Sequence, residues 1–181
     1  MKKTILKVLA IAFIAFVSFH VGRAVQPQNT AQNVEDPASG TSSYQSRPLV
    51  ELINEVRQKA GKAPVVENEA LNRAARARNS QMIINRYWDH FDQEKKSWYD
   101  TVKLFAPFNA RVGENLAICF TNNEEVVKGW INSPTHYELM IGNFTQVGTD
   151  TQQSAGQITA NHGGTQRAVK DCALTTAEFA E

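Results

Sequence analysis

The chain changes character at residue 46. From Val25 to Gln45 it is made of Gln, Asn, Ser, Thr, Pro and Gly with hardly a bulky apolar residue, and such a segment cannot bury enough surface to offset the entropy of ordering it. From Leu49 onward, apolar residues recur at helical or strand spacing. The fold is therefore confined to the residues beyond that boundary. A chain of 181 residues with 42% hydrophobic content buries one sizeable core rather than two. The expected organisation is an amino-terminal leader over residues 1–24, a flexible linker over 25–46, one globular domain over 47–165 and a C-terminal tail over 166–181.

The leader reads as an export signal. Lys2 and Lys3 precede an apolar run from Val8 to Phe19, and Gly22-Arg23-Ala24 offers the small residues a signal peptidase prefers. The run is shorter than the ~20 residues that span a bilayer, which favours cleavage. Counting back to Ile5 gives a marginal span, so an uncleaved membrane anchor is the alternative. A net charge of +1 carries no basic excess for nucleic acid, and contact with a membrane is expected only through the leader. Cys119 and Cys172 are the two cysteines. In an exported protein they are compatible with one disulfide or with two buried thiols, and spacing leaves both open.

Within the domain, Leu49, Leu52, Ile53, Val56 and Ala60 define an amphipathic helix that Gly61 ends. Asn68 can cap a second helix reaching about Arg86, with Leu71, Ala74, Ala75, Ala77 and Met82 inward. Arg73, Arg76, Arg78 and Arg86 are assigned to its solvated face. Ser97 and Asp100 open a third helix ending near Pro107, and Asn122 or Asn123 opens a fourth with Val126, Val127, Trp130 and Ile131 inside. Leu116, Ile118 and Phe120 alternate as in a strand, and Phe144 to Gly148 reads as another. Beyond Thr149 the pattern weakens: Gln157 to His162 is a poor strand, Ala168 to Phe179 reads as a short amphipathic helix, and His162 as incidental.

Three blocks carry chemistry: Tyr87-Trp88-Asp89-His90, Gly113-Glu114-Asn115-Leu116-Ala117 and Trp130-Ile131-Asn132-Ser133-Pro134-Thr135-His136. Each supplies one metal ligand or acid/base group: His90, Glu114 and His136. Ser133-Pro134 signals a helix start, with the serine as N-cap, so His136 falls in a first turn, where the dipole disfavours an imidazolium. Asp89 is placed to orient His90. Trp88, Asn115 and Ser133 complete the expected cleft. Glu114, beside so much apolar sequence, needs a partner if buried.

In this order the three blocks, followed by Asn143-Phe144-Thr145-Gln146-Val147-Gly148, resemble the bacterial branch of the CAP superfamily, which includes sperm-coating and plant pathogenesis-related proteins. The likeness covers Leu49 to Gly148. It implies an α+β fold, a three-layer α-β-α sandwich around a small central antiparallel sheet, in a secreted or extracytoplasmic protein. It also implies a cleft of histidines and acids able to hold a divalent metal, often zinc. The family's last strand is rich in aromatic and β-branched residues, and Gln157 to Gly164 is thin by comparison, so an incomplete last strand is expected.

The leading functional expectation is a binding or interaction module for an extracellular ligand, whether protein, cell wall or lipid, without turnover. Two histidines and a glutamate are also a catalytic zinc ligand set, so the alternative is a zinc-dependent hydrolase of peptide or cell-wall material, with Asp89 or Asp92 as base. Lipid or sterol binding, implied by eukaryotic relatives, is a third reading and requires an apolar groove.

Overall fold

A computed structural model describes residues 46–105 and 111–181. The leader, nearly all of the linker and the end of the third helix near Pro107 lie outside the described residues. No helix among the described residues is long and apolar enough to cross a membrane.

The first two helices follow the expected signals. Helix α1 runs Leu49–Lys59 and buries Leu49, Leu52, Ile53 and Val56, and Gly61, at φ +68°, takes the left-handed turn after it. Strand β1 is Val66–Glu67. Helix α2 spans Glu69–Ile84, and the Asn68 side chain accepts from the Ala70 and Leu71 amides at its start. Next come β2 at Tyr87–Trp88, α3 at Trp98–Phe105, β3 at Val112–Ile118, α4 at Asn123–Ile131 and α5 at Pro134–Met140. Asn122 caps α4 through the Glu125 amide at 2.8 Å.

The C-terminal third departs from the sequence reading. Strands β4 (Gln146–Gln153), β5 (Gln157–His162), β6 (Thr165–Lys170) and β7 (Ala173–Ala180) follow one another. The residues expected to be a tail or an amphipathic helix are thus two strands, and the last of them is eight residues long. Strand β7 lies inside a four-stranded sheet ordered β1-β4-β7-β3. It pairs antiparallel with both β3 and β4, while the two-residue β1 joins β4 in parallel. A second sheet, ordered β2-β5-β6, forms a ribbon in which β2 runs parallel to β5 and β5 antiparallel to β6. Cys119 and Cys172 form a disulfide that joins the end of β3 to the β6–β7 turn.

Alternation on β7 builds the sandwich. Ala177 and Phe179 face α1, α4 and α5 together with Ala117, Val147, Trp130 and Met140. Leu174 joins Met82 of α2, and Ala180 joins Leu71 and Ala74. The α2 face approaches unusually closely: a Cβ on Gly148 would lie 2.1 Å from the Leu71 carbonyl carbon, so only glycine fits there.

Candidate functional site

Strand β3 is an edge strand of the four-stranded sheet, so side chains from both of its faces can meet around that edge. Glu114 stands opposite Glu178 on the α2 side, and the next residue, Asn115, stands opposite Ala177 on the other. Asn115 Nδ2 donates to the His136 carbonyl at 3.0 Å, tying the start of α5 to β3. Trp130 Nε1 donates to the Leu116 carbonyl at 3.0 Å and fixes α4 to the same edge.

On the α2 side, Arg78 Nε donates to Glu114 Oε2 at 2.8 Å, with the two side chains 1% and 0% exposed. Arg78 also donates to the Tyr87 hydroxyl at 3.1 Å and to the Asp89 carbonyl at 2.9 Å. Burial works against the guanidinium's charge, but the adjacent Glu114 more than compensates and holds its pKa above the usual value. The assignment of Arg78 to the solvated face of α2 is therefore corrected. Its position shows why: Leu71, Ala74, Ala75, Arg78 and Met82 form one buried stripe, and spacing, not residue type, puts Arg78 inside.

The remaining Glu114 oxygen meets His90 Nδ1 at 2.7 Å. A carboxylate only accepts, so Nδ1 carries a proton, and of the two neutral tautomers the contact selects the one with its lone pair on Nε2. Glu114 thus stands behind His90, both oxygens engaged, rather than beside it as a third ligand. Asp89 does not orient His90: its Oδ2 accepts from Asn161 Nδ2 at 2.6 Å and its Oδ1 from the Phe91 amide at 3.2 Å. Glu178, 0% exposed, has no hydrogen-bond partner for either oxygen as an ionised group. Burial, followed by repulsion from Glu114, raises its pKa well above the usual carboxyl value, so Glu178 is held as the neutral acid.

On the other side, Ser133 is the N-cap of α5 but makes no capping bond. Its hydroxyl instead meets His136 Nδ1 at 2.7 Å. A hydroxyl both donates and accepts, so this contact sets the ring's orientation and leaves the tautomer open. Burial first, then the neighbouring His90 and His162, lowers the His136 pKa. The ring is neutral at neutral pH.

His90, His136, Ser133, Trp88 and Asn161 line a pocket of about 420 Å³, and His162, read from sequence as incidental, lines it too. The structure therefore brings His90 and His136 to one pocket and adds His162. Among the described residues, no three His, Cys, Asp or Glu side chains are gathered closely enough to hold a metal ion. As a donor set for a divalent ion the pocket offers imidazole nitrogens, with Glu114 orienting one of them. That suits zinc in ligand type, though it falls short of the three protein ligands usual in catalytic sites. Arg78, Glu178, His162 and Asn161 were missed in sequence. The buried stripe on α2 was the available signal for Arg78, and none existed for the other three.

A sandwich of helices around a short sheet, with a histidine-lined pocket at the sheet's open edge, defines the class of fold. Residues 50–161 match the model of CAP, the cysteine-rich secretory protein family, and the chain belongs to that family. It is 34% identical over 142 residues to an uncharacterized Bacillus subtilis (strain 168) protein, YkwD, covering 73% of this chain and 55% of that one. It is 23% identical over 128 residues to an uncharacterized membrane protein of the same organism, YlbC, covering 70% and 36%. The chain thus spans about half and about a third of the lengths of these relatives. Among solved structures, an extracellular protein containing a SCP domain from Bacillus anthracis superposes with a TM-score of 0.59 at 18% identity, over 81% of this chain and 45% of that one. An outer surface protein of Borrelia burgdorferi gives 0.57 at 18%, over 74% and 89%.

Proposed function

We propose that the domain works outside the cytoplasm as a binding module, and that His90 and His136, with His162 beside them, present ring nitrogens to a ligand and to a divalent ion such as zinc. The observation that carries this reading is the 2.7 Å contact of Glu114 with His90 Nδ1, which commits the opposite nitrogen to the pocket. The disulfide supports an oxidising, extracytoplasmic location. The words extracellular and outer surface, attached to two structures of the same fold, agree with it. Asp89 is the one carboxylate lining the pocket, and both of its oxygens accept hydrogen bonds. A hydrolase would therefore have to take its general base from the same imidazoles that hold the ligand or the ion, whereas a binding module asks only that they be presented, and the binding reading is preferred.

Zinc titration into the metal-free protein by calorimetry tests the reading. About one ion per chain is expected, with uptake lost in the His90→Ala/His136→Ala double variant, because imidazole nitrogens are the donors on offer. Equal uptake by both proteins would remove the metal part of the proposal. Turnover of casein or peptidoglycan fragments by the zinc-loaded protein would replace the module with the hydrolase.

A further inference from the structure

The site does not end at its histidines. The histidine pocket shares Trp88, Leu116, Ser133, His136 and His162 with a groove of about 650 Å³, within the ~300–1,000 Å³ span of ligand clefts. Five consecutive residues, Leu116 to Phe120, line this groove. Successive side chains of a strand point to opposite faces, so a groove that meets all five runs along the edge of β3 rather than over one face. Its walls are α4, with Gly129 and Trp130, and the ribbon, with Ala160, Arg167 and Val169.

The strand register shows what that edge offers. The Cys119 amide donates to the Ala173 carbonyl, and Ile118 stands opposite Leu174. Odd-numbered residues of β3 therefore turn their backbone groups to β7, and even-numbered ones turn theirs outward. The outward Leu116 carbonyl is taken by Trp130 Nε1. The amide and carbonyl of Ile118 have no partner among the described residues, and the buried Trp88 Nε1 on the ribbon side has none either. An alkyl chain lying there would keep these polar groups dry and unpaired, a costly state. A peptide backbone brings a donor and an acceptor at strand spacing.

We propose that the site takes an extended peptide of a partner protein, whose backbone pairs with Ile118 on the free edge of β3 while its side chains alternate between the α4 wall and the ribbon wall. Pairing this short is already used in the fold, where β1 and β2 are two-residue strands. Walls that carry Phe120, Trp130, Ala160 and Val169 call for apolar side chains. Charge sets one further position. Arg167 is exposed and forms no ion pair with the described residues, so the peptide residue beside it is acidic. A second copy of the chain does not fit through its own β3, because that edge is equally recessed between helix and ribbon and two recessed edges cannot meet. The inference rests on the binding-module reading but not on the ion.

The test is a selection of displayed seven-residue peptides on the full chain in chelator, followed by titration of the enriched sequences. They should carry a short apolar run beside one acidic residue. Bound peptide should slow hydrogen exchange at the Ile118 amide about tenfold or more, and methylating the peptide amide that pairs there should abolish binding. Arg167→Glu, an exposed change, should weaken the acidic peptides about tenfold and favour their lysine counterparts. Four results would overturn the proposal: no enriched sequence, an Ile118 amide indifferent to bound peptide, affinity unchanged by methylation at every position, or equal binding by the Arg167→Glu protein. A groove that takes palmitate and no selected peptide would overturn it too, in favour of a lipid. Zinc uptake with no enriched peptide removes this inference alone, and enriched peptides without zinc uptake remove only the ion.

Discussion

Strands β6 and β7 are neighbours in sequence and opposites in environment. Strand β7 is buried over seven of its eight residues although it carries Thr175, Thr176 and Glu178. Strand β6 is exposed at five of its six. The difference lies in what faces each strand rather than in how polar it is. Thr176 Oγ1 donates to Asn79 at 2.7 Å, Thr175 meets Thr151 at 3.0 Å, and Arg78 brings a buried cation to Glu114 next to Glu178. A central strand can be polar when the helix above it is polar in the same places. Among the described residues, strand β6 has no such cover on its outer side, and Thr165, Arg167 and Val169 line a groove of about 650 Å³. Strand β7 is scaffold, and β6 is available surface.

The sharpest way to break this contrast is Arg78→Ala. It would leave two buried carboxyls without their cation and should cost about 3–5 kcal/mol, read as a lower urea midpoint. A loss of under about 1 kcal/mol, the range of an exposed pair, would mean that the α2 side of the sheet is wetter than described. Next in size is the bond that joins the two regions. Replacing Cys119 and Cys172 together by serine should cost about 2–4 kcal/mol and should raise amide exchange in β5 and β6 more than in β7. Uniform loosening of all strands would show that ribbon and sheet unfold as one unit.

The smallest expected effect, taken per unit of pH, is a titration. Glu178 has a raised pKa in the fold. The stability it contributes is therefore complete below its ordinary carboxyl value of 4.5, and is lost as pH rises through the raised one. Glu178→Gln keeps a neutral donor opposite Glu114 and does not titrate. The variant should match the wild type near pH 4 and gain on it as pH climbs, by up to about 1.4 kcal/mol per unit. A difference that stays constant with pH would show that Glu178 is not the neutral partner.

The helices were legible because their signals are local. Asn68 caps α2 and Asn122 caps α4 through the bonds their side chains suggest, and Leu49 to Val56 repeat at helical spacing into the core. The pocket was legible through the blocks that carry His90 and His136. Strands β6 and β7 were not, because Ala173 to Ala180 mixes two threonines and a glutamate among apolar residues with no clean alternation, and its burial depends on Asn79 and Arg78, nearly a hundred positions away. Ser133 was assigned the role its position suggests, but its hydroxyl satisfies the His136 ring instead of an amide. Glu114 was placed among the site residues without its true partner, since nothing local announces that a residue of the arginine-rich α2 is buried.

The central claim is that Glu114, held by Arg78, fixes the proton of His90 on Nδ1 and turns Nε2 to the pocket. Two-dimensional nitrogen–proton correlation of the imidazole rings at neutral pH, before any metal is added, measures this directly. The expected result is the Nδ1-protonated form of His90 in the wild type and a mixture of tautomers in Glu114→Ala. A His90 that carries its proton on Nε2, or that gives the same spectrum in both proteins, would contradict it.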